Sequence, residues 1–121
     1  VLGVIAAGVP ILDEQNIEGY ECAFERNNAD FCLRIKGDSM VGARILDGDI
    51  VYIRKQPDVE HGEIAAVLVD DEATLKRVFK VNGSVYLHSE NPNIPDQIYS
   101  KKDFKEVAIL GKAIAFKSEV K

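Results

Sequence analysis

The sequence predicts a mostly β fold, and three observations support this prediction. Residues 31–36 alternate apolar and polar side chains with a period of two, which is typical of a strand with one buried face. Residues 63–69 are almost continuously apolar, which favours a strand buried on both faces. Asn82-Gly83 is a strong signal for a tight turn between two strands. The expected architecture is mostly β, with at least one hairpin and a short helical turn.

The other elements follow from composition and from turn residues. Further segments rich in β-branched, aromatic or alternating apolar residues are predicted as strands, and these are residues 50–54, 73–81, 84–88 and 107–120. Residues 13–28 are polar and are predicted to be mostly loop. Residues 1–12 are apolar but contain glycine and proline, so we expect an extended segment that lies on the protein.

Length and charge limit the class of protein. A chain of 121 residues fits one domain with its own core, and a formal net charge of −5 argues against nucleic-acid binding by this segment alone. Dinucleotide and P-loop motifs are absent, and we expect no cofactor and no metal. The apolar start lacks the basic region of a signal peptide and is shorter than the roughly 20 residues of a membrane span.

Two cysteines, Cys22 and Cys32, are too few for a disulfide framework and lack the spacing of a zinc site. Free cysteine usually behaves as a small hydrophobic residue. We therefore predict two buried, reduced thiols in a cytoplasmic protein.

The motif Gly37-Asp38-Ser39-Met40 directly follows a predicted strand and should form a turn that opens a short helix. Asp38 is predicted to cap this helix. Backbone amides at a helix start lack intrahelical partners, so those of Ser39 and Met40 are candidates for binding an oxyanion. A serine in such a turn is usually structural, and it becomes a nucleophile only beside a base.

Lys76 is the candidate base, because it lies in the middle of a predicted strand where its position is well fixed. A lysine has a pKa of about 10.4 in water, so it acts as a base near neutral pH only where burial disfavours its charged form. The apolar residues around Ala6 and Ala7 would supply that burial by closing over the site. We expect docked and undocked states of this segment in equilibrium.

Two other kinds of site receive less support. His61 and His88 suggest a Ser-His-Asp triad, but the sequence has no Gly-x-Ser-x-Gly motif. The acidic pairs Asp47/Asp49 and Asp70/Asp71 lie in predicted turns, where aspartate is favoured by bonding to its own backbone. They do not indicate a metal site.

Several motifs together resemble the self-cleaving domain of LexA and phage repressors. They occur in the family's order, and they are Ala6-Ala7-Gly8, Gly37-Asp38-Ser39-Met40, Asp47-Gly48-Asp49 and Glu72-Ala73-Thr74-Leu75-Lys76-Arg77. The spacing between Ser39 and Lys76 is also similar to that in the family, and the resemblance covers about the whole chain. Asn91-Pro92 resembles the phage-repressor branch.

The resemblance implies a LexA-like or signal-peptidase-like β fold of strongly bent antiparallel sheets and hairpins with one or two short helical turns. It also implies a serine/lysine autopeptidase. Ser39 would be the nucleophile and Lys76 the general base, and the chain would be cut between Ala7 and Gly8. Residues 1–12 would be the cleavage-site segment, and residues 13–121 would be the autopeptidase and dimerisation domain.

The resemblance also implies a biological role. An amino-terminal DNA-binding domain, absent from this chain, would bind the operator, and cleavage would relieve repression in the SOS response to DNA damage or in prophage induction. The inducing partner would be the RecA filament on single-stranded DNA. The protein would be a cytoplasmic homodimer without a membrane anchor, joined through residues 107–116.

Two alternatives come from related chemistry. A UmuD-like accessory subunit of a lesion-bypass polymerase also trims itself, although such chains more often carry Cys-Gly where this one has Ala7-Gly8. The residues that precede Val1 would decide between the two, because a helix-turn-helix indicates a repressor and a short tail indicates the accessory subunit. A signal peptidase shares the serine/lysine chemistry but needs a membrane anchor.

Overall fold

The computed structural model describes residues 4–6, 29–69, 72–100 and 107–120. Eight strands and one 3-10 turn occur in these residues. The strands are β1 (Val4–Ala6), β2 (Phe31–Lys36), β3 (Ile50–Lys55), β4 (Glu63–Val69), β5 (Glu72–Val81), β6 (Ser84–His88), β7 (Gln97–Tyr99) and β8 (Val107–Lys117). The 3-10 turn, Val41–Ala43, lies between β2 and β3.

The eight strands form one sheet in the order β1-β2-β3-β8-β4-β5-β6-β7. Neighbouring strands are antiparallel except for β1 and β2, which are parallel. β1 also contacts β5, although four other strands lie between them in the sheet order. The sheet is therefore strongly curled, and the predicted bent, mostly β fold is confirmed.

The strand predictions agree with the structure at nearly every position. β2, β4 and β6 have the predicted bounds, while β3 and β5 each extend one residue beyond them. Asn82 and Gly83 have φ values of 49° and 80°, which is the pair of positive angles that a type I′ hairpin turn requires. β7 and the parallel pairing of β1 were not predicted, because a three-residue strand gives too short a pattern to detect.

The hydrophobic core lies on both faces of β5. Leu75 packs into one buried cluster with Met40 and Val51, whereas Val78 packs into a second cluster with Val67. Neighbouring residues of a strand point to opposite faces. Lys76 therefore shares the face of Val78 rather than that of Leu75.

β8 is hydrogen-bonded to β3 on one side and to β4 on the other, and at Gly111 it lies too close to β3 to leave space for a side chain. Gly111 pairs with Lys55 of β3 and with Ala66 of β4, and the register of β8 shifts against both strands. A methyl group at this glycine would lie 2.6 Å from Ile53 Cγ2 and would also overlap the carbonyl oxygen of Arg54. The absence of a side chain allows β8 to lie between β3 and β4.

The cysteine prediction is wrong at Cys32. This residue is completely buried in β2, as expected, but it is disulfide-bonded rather than reduced. Cys22 lies outside the described residues, as do Asp70, Asp71 and the predicted loop 13–28. Within the described residues, no helix has the length and apolar character needed to cross a membrane.

Candidate active site

Ser39 is a buried residue of the turn that follows β2, whereas Gly37 and Asp38 before it are exposed. The turn is fixed at its start by the Gly37 amide, which donates to Asp47 Oδ1 at 2.8 Å, and Gly37 has a φ of 93° that favours glycine. Ser39 is completely buried, and its Oγ has no hydrogen-bond partner among the described residues. A buried hydroxyl without a partner is unusual and indicates a site that is completed by something else.

The predicted cap by Asp38 is wrong. Met40 is the residue that precedes the 3-10 turn, and no side chain caps it. Asp38 contributes its backbone carbonyl instead, which accepts hydrogen bonds from the Val41 amide and from Asn91 Nδ2. The 3-10 turn begins at Val41, so its capping position is Met40 rather than Asp38, and the Asn91 side-chain amide binds the Asp38 carbonyl.

The amides of Ser39 and Met40 differ from the amides that follow them in the turn. Among the described residues, neither amide donates to a backbone or side-chain acceptor, whereas the amides of Val41, Ala43 and Arg44 all do. Two adjacent donors without acceptors are the arrangement that an oxyanion hole needs.

Lys76 is buried in the middle of β5, with 3% of its surface exposed. Burial disfavours the ammonium form and lowers the pKa of Lys76 below its ordinary value. Its Nζ donates to Ser89 Oγ at 2.6 Å. Thr74 Oγ1 lies two residues earlier on the same face of β5 and is buried without a partner among the described residues. Lys76 and Thr74 are thus polar groups on a face that is nearly dry, and a lysine can act as a base in such an environment.

Ser89 is the residue that the sequence analysis missed. The Asn82-Gly83 turn pairs Val81 with Ser84, and the register continues to Arg77 and His88. One further pair places Ser89 opposite Lys76, just beyond the end of β6. The turn motif alone therefore contained the signal, because a two-residue hairpin loop fixes every cross-strand partner of Lys76.

The segment 89–91 joins the Lys76 strand to the Ser39 turn. On the strand side, Ser89 Oγ accepts from Lys76, and the Glu90 carboxylate pairs with the Arg77 guanidinium. On the turn side, the Glu90 carbonyl accepts from the Gly42 amide at 2.7 Å, and Asn91 Nδ2 donates to the Asp38 carbonyl at 3.0 Å. Three consecutive residues thus hold the two candidate catalytic elements relative to each other.

Asn91→Ala tests this connection. We expect self-cleavage to slow by roughly 10- to 100-fold, because small displacements of reacting groups have effects of this size. The Asn91 side chain also accepts from the Asn93 amide, so two hydrogen bonds are lost, and the free energy of unfolding should fall by about 2 kcal/mol at a usual net contribution of about 1 kcal/mol each. Rates come from mass spectrometry and stability from urea denaturation. The matched control is Asn93→Ala at an exposed position of the same loop, and an equal loss of rate in both variants would contradict the role of Asn91.

The histidines do not form a triad with Ser39 in the part of the chain that the structure describes. His61 Nδ1 accepts from the Lys80 amide, and His88 Nδ1 contacts Asp96 Oδ1 at 2.6 Å. The Asp49 carboxylate accepts hydrogen bonds from the Leu46 amide and from the Ser118 hydroxyl, so it stabilises the turn in which it lies. Like Asp47, it acts structurally, as its turn position predicts.

β1, the described part of the predicted cleavage segment, lies beside β2, which leads into the Ser39 turn, and contacts β5, which carries Lys76. Val4, Ile5 and Ala6 pair with Arg34, Ile35 and Lys36 of β2, and β1 also contacts β5, the strand of Lys76. Ala7 and Gly8 lie outside the described residues. Because β1 and β2 are parallel, both chains run towards the same end of the sheet, where Ser39 follows Lys36 by three residues.

Residues 1–114 match the model of the family described as Peptidase S24-like. This chain belongs to that family. The S24-like chain is also 44% identical over 117 residues to the LexA repressor of Pelotomaculum thermopropionicum, which covers 94% of this chain and 55% of the relative. The LexA repressor of Geobacter metallireducens is 41% identical over 116 residues, covering 94% of this chain and 57% of that protein.

A third relative, the LexA repressor of Frankia alni, is 44% identical over 120 residues and is covered to 45% of its length. The S24-like chain thus spans about half the length of the curated relatives it matches. These relatives are all LexA repressors, so the predicted resemblance is confirmed and the UmuD-like alternative is not favoured.

Proposed function

We propose that this chain is the self-cleaving carboxy-terminal domain of a LexA-type repressor, in which Ser39 and Lys76 cut the bond between Ala7 and Gly8. The observation that carries the proposal is the parallel pairing of β1 with β2, which ends at Ala6 opposite Lys36. In the sequence, the bond proposed to be cut comes one residue after Ala6, and Ser39 comes three residues after Lys36. Two further observations support the proposal: a buried lysine with a lowered pKa, and a buried serine whose hydroxyl has no partner in the described part of the chain.

The proposed reaction begins when Ser39 Oγ attacks the Ala7 carbonyl carbon and transfers its proton to neutral Lys76 Nζ. The amides of Ser39 and Met40 bind the resulting oxyanion. The carbon–nitrogen bond then breaks, and Lys76 gives the proton to the Gly8 nitrogen as it leaves. Lys76 then removes a proton from water, the water oxygen attacks the ester carbonyl, and Lys76 returns the proton to Ser39 Oγ as the carbon–oxygen bond breaks. The products are a peptide that ends in the Ala7 carboxylate and a chain that begins with the Gly8 amine.

In the complete protein, cleavage would detach this domain from a DNA-binding domain and relieve repression. The LexA names of the relatives support this role, which we assign to the SOS response to DNA damage, in the cytoplasm, with the RecA filament on single-stranded DNA as the inducing partner. The S24-like match supports the self-cleaving peptidase activity itself.

We further propose a homodimer through β8. Residues 113–117 of β8 pair with β3 on one side. On the other side, no described residue of β4 pairs with them. Beside them is a 340 Å³ groove lined mainly by apolar side chains, and Phe116 at its edge is 40% exposed. A second copy of the chain would cover this face, and two copies suit an operator made of paired half-sites.

The pH dependence of self-cleavage tests the proposed chemistry. The neutral fraction of Lys76 rises tenfold per pH unit below its pKa, so the rate should rise with the same slope and level off above that pKa. Because burial lowers the pKa, the plateau should begin below about pH 10.4, the value for lysine in water. Mass spectrometry of the 121-residue chain over time, from pH 6 to pH 11, gives the rates.

Ser39→Ala should give no product at any pH, whereas the matched control Ser84→Ala should cleave like the unmodified chain. A chain that stays intact at alkaline pH, or a cut elsewhere than after Ala7, would contradict the proposal.

A further inference from the structure

We infer that Ser89 is a positioning residue for Lys76: its hydroxyl holds the amine in the orientation from which the nitrogen lone pair faces Ser39. This inference rests on the proposed function and adds a third side chain to the site. It starts from the short hydrogen bond of 2.6 Å between Lys76 Nζ and Ser89 Oγ.

Ser89 is suited to this role by its burial. Its exposed fraction is 1%, that of Lys76 is 3%, and the described part of the chain offers Lys76 no other hydrogen-bond partner. Water, which would otherwise solvate the amine from any direction, has little access to either group. The orientation of the amine is therefore set by one hydroxyl.

The chemistry of an amine explains why one hydrogen bond matters. Neutral Lys76 has two N–H groups and a single lone pair, and rotation about the Cε–Nζ bond moves the lone pair around a circle. Donation of one N–H to Ser89 Oγ stops this rotation. A general base must be held within hydrogen-bond reach of the proton that it removes, so a freely rotating amine would present its lone pair to Ser39 only part of the time.

The backbone supports the same role. Ser89 follows β6 directly, and the next residue, Glu90, accepts from the Gly42 amide in the Ser39 turn. The hydroxyl that holds the base is thus attached to the segment that holds the nucleophile turn. A movement of this segment would displace both partners together, which preserves their separation.

The hydrogen bond also affects the protonation of Lys76. A hydroxyl oxygen accepts more strongly from an ammonium than from a neutral amine, so Ser89 stabilises the charged form and partly opposes the effect of burial. Loss of the hydroxyl should lower the pKa of Lys76 further. A variant without it would therefore have more neutral base at a given pH and yet a poorly oriented one.

Ser89→Ala separates these two effects in a pH–rate profile of the 121-residue chain. We expect the plateau rate to fall by roughly 10- to 100-fold and the midpoint to move to lower pH. Ser89→Thr retains the hydroxyl and should restore both towards the values of the unmodified chain. The control Ser84→Ala, in the same hairpin, should change neither. Thermal unfolding of each variant shows whether a lower rate reflects lost structure.

Two outcomes would overturn the inference. One is a plateau and a midpoint in Ser89→Ala equal to those of the unmodified chain. The other is a lower plateau with an unmoved midpoint and a reduced unfolding temperature, which indicates a structural role only. Failure of the proposed function looks different, because Ser39→Ala would then cleave as fast as the unmodified chain.

A second measurement does not depend on cleavage. In the uncleavable Ser39→Ala chain, the amine nitrogen of Lys76 is followed by NMR as pH is raised, with and without Ser89→Ala. A lower titration midpoint in the double variant supports the inference, and an identical midpoint contradicts it.

Discussion

Lys76→Met is expected to abolish self-cleavage and at the same time to make the fold more stable at neutral pH. Methionine has a similar length and no basic nitrogen, so proton transfer from Ser39 has no acceptor, and the rate should fall by at least about 10³-fold. The gain in stability has a separate cause. Burial of an ammonium group is unfavourable, and a thioether of similar volume is not penalised in this way.

The gain in stability should depend on pH in a defined direction. Burial lowers the folded-state pKa of Lys76, so between the folded and unfolded values the unfolded chain binds more protons than the folded one. Stability of the unmodified chain therefore rises with pH through this window. The advantage of Lys76→Met should be full below the folded-state pKa and should disappear above about pH 10.4, where lysine is neutral in both states.

Unfolding temperatures measured at several pH values, together with cleavage rates, check both halves of this prediction. Lys80→Met is the matched control, because Lys80 lies on the same strand but is exposed in an ion pair with Asp58 at 2.8 Å. The control should cleave normally, because Lys80 is not part of the candidate site. It should also unfold at nearly the same temperature, because exposed ion pairs contribute little to stability. A Lys76→Met chain that still cuts itself, or one that is less stable at pH 7, would refute the argument.

Gly111→Val is expected to destabilise the fold strongly. The added side chain would overlap Ile53 and the Arg54 carbonyl, and the second of these belongs to the backbone of β3, which no rotamer change can move aside. Strands β3 and β8 would have to separate in the middle of the sheet. We expect a loss of about 3 kcal/mol or more in the free energy of unfolding.

Urea denaturation measures this loss, and Ala108→Val on the same strand is the control. Ala108 is exposed, so the larger side chain at that position should change stability by no more than about 0.5 kcal/mol. A small effect at Gly111 would mean that β8 does not pass β3 as closely as the structure shows.

The sequence predicted the regular strands well because their signals are local. Residues 31–36 and 63–69 have the predicted bounds, since alternation and continuous apolar character each reflect burial of that segment. The hairpin at Asn82-Gly83 was equally clear, because its two positive φ angles strongly restrict the residue types.

The parts that were missed depend on contacts between distant segments. The parallel pairing of β1 with β2 joins residues that are far apart in the chain, and a three-residue strand has no detectable period. Asp38 was assigned a cap, but the turn that follows has only three residues and is held by Asn91 from a distant loop.

The sequence predicted the two candidate catalytic residues but not the residue that binds one of them. Ser39 and Lys76 were found from motifs, and their roles remain predictions. Ser89 was missed because a serine at a strand end is usually a turn residue. Combining the hairpin register with the position of Lys76 would have placed it opposite the amine.

The parallel strand β1 also has a consequence for the chain after cleavage. While β1 is present, β2 has a hydrogen-bonded neighbour on each side. A cut after Ala7 would leave the peptide that contains β1 attached by noncovalent contacts alone, and three residues of pairing give little affinity. Its departure would expose the backbone donors and acceptors of β2 as a bare sheet edge, which is a template for strand addition by another chain. Self-cleavage would thus expose an edge of β2 that is covered in the intact protein, and another chain would be able to recognise the cleaved protein at this edge.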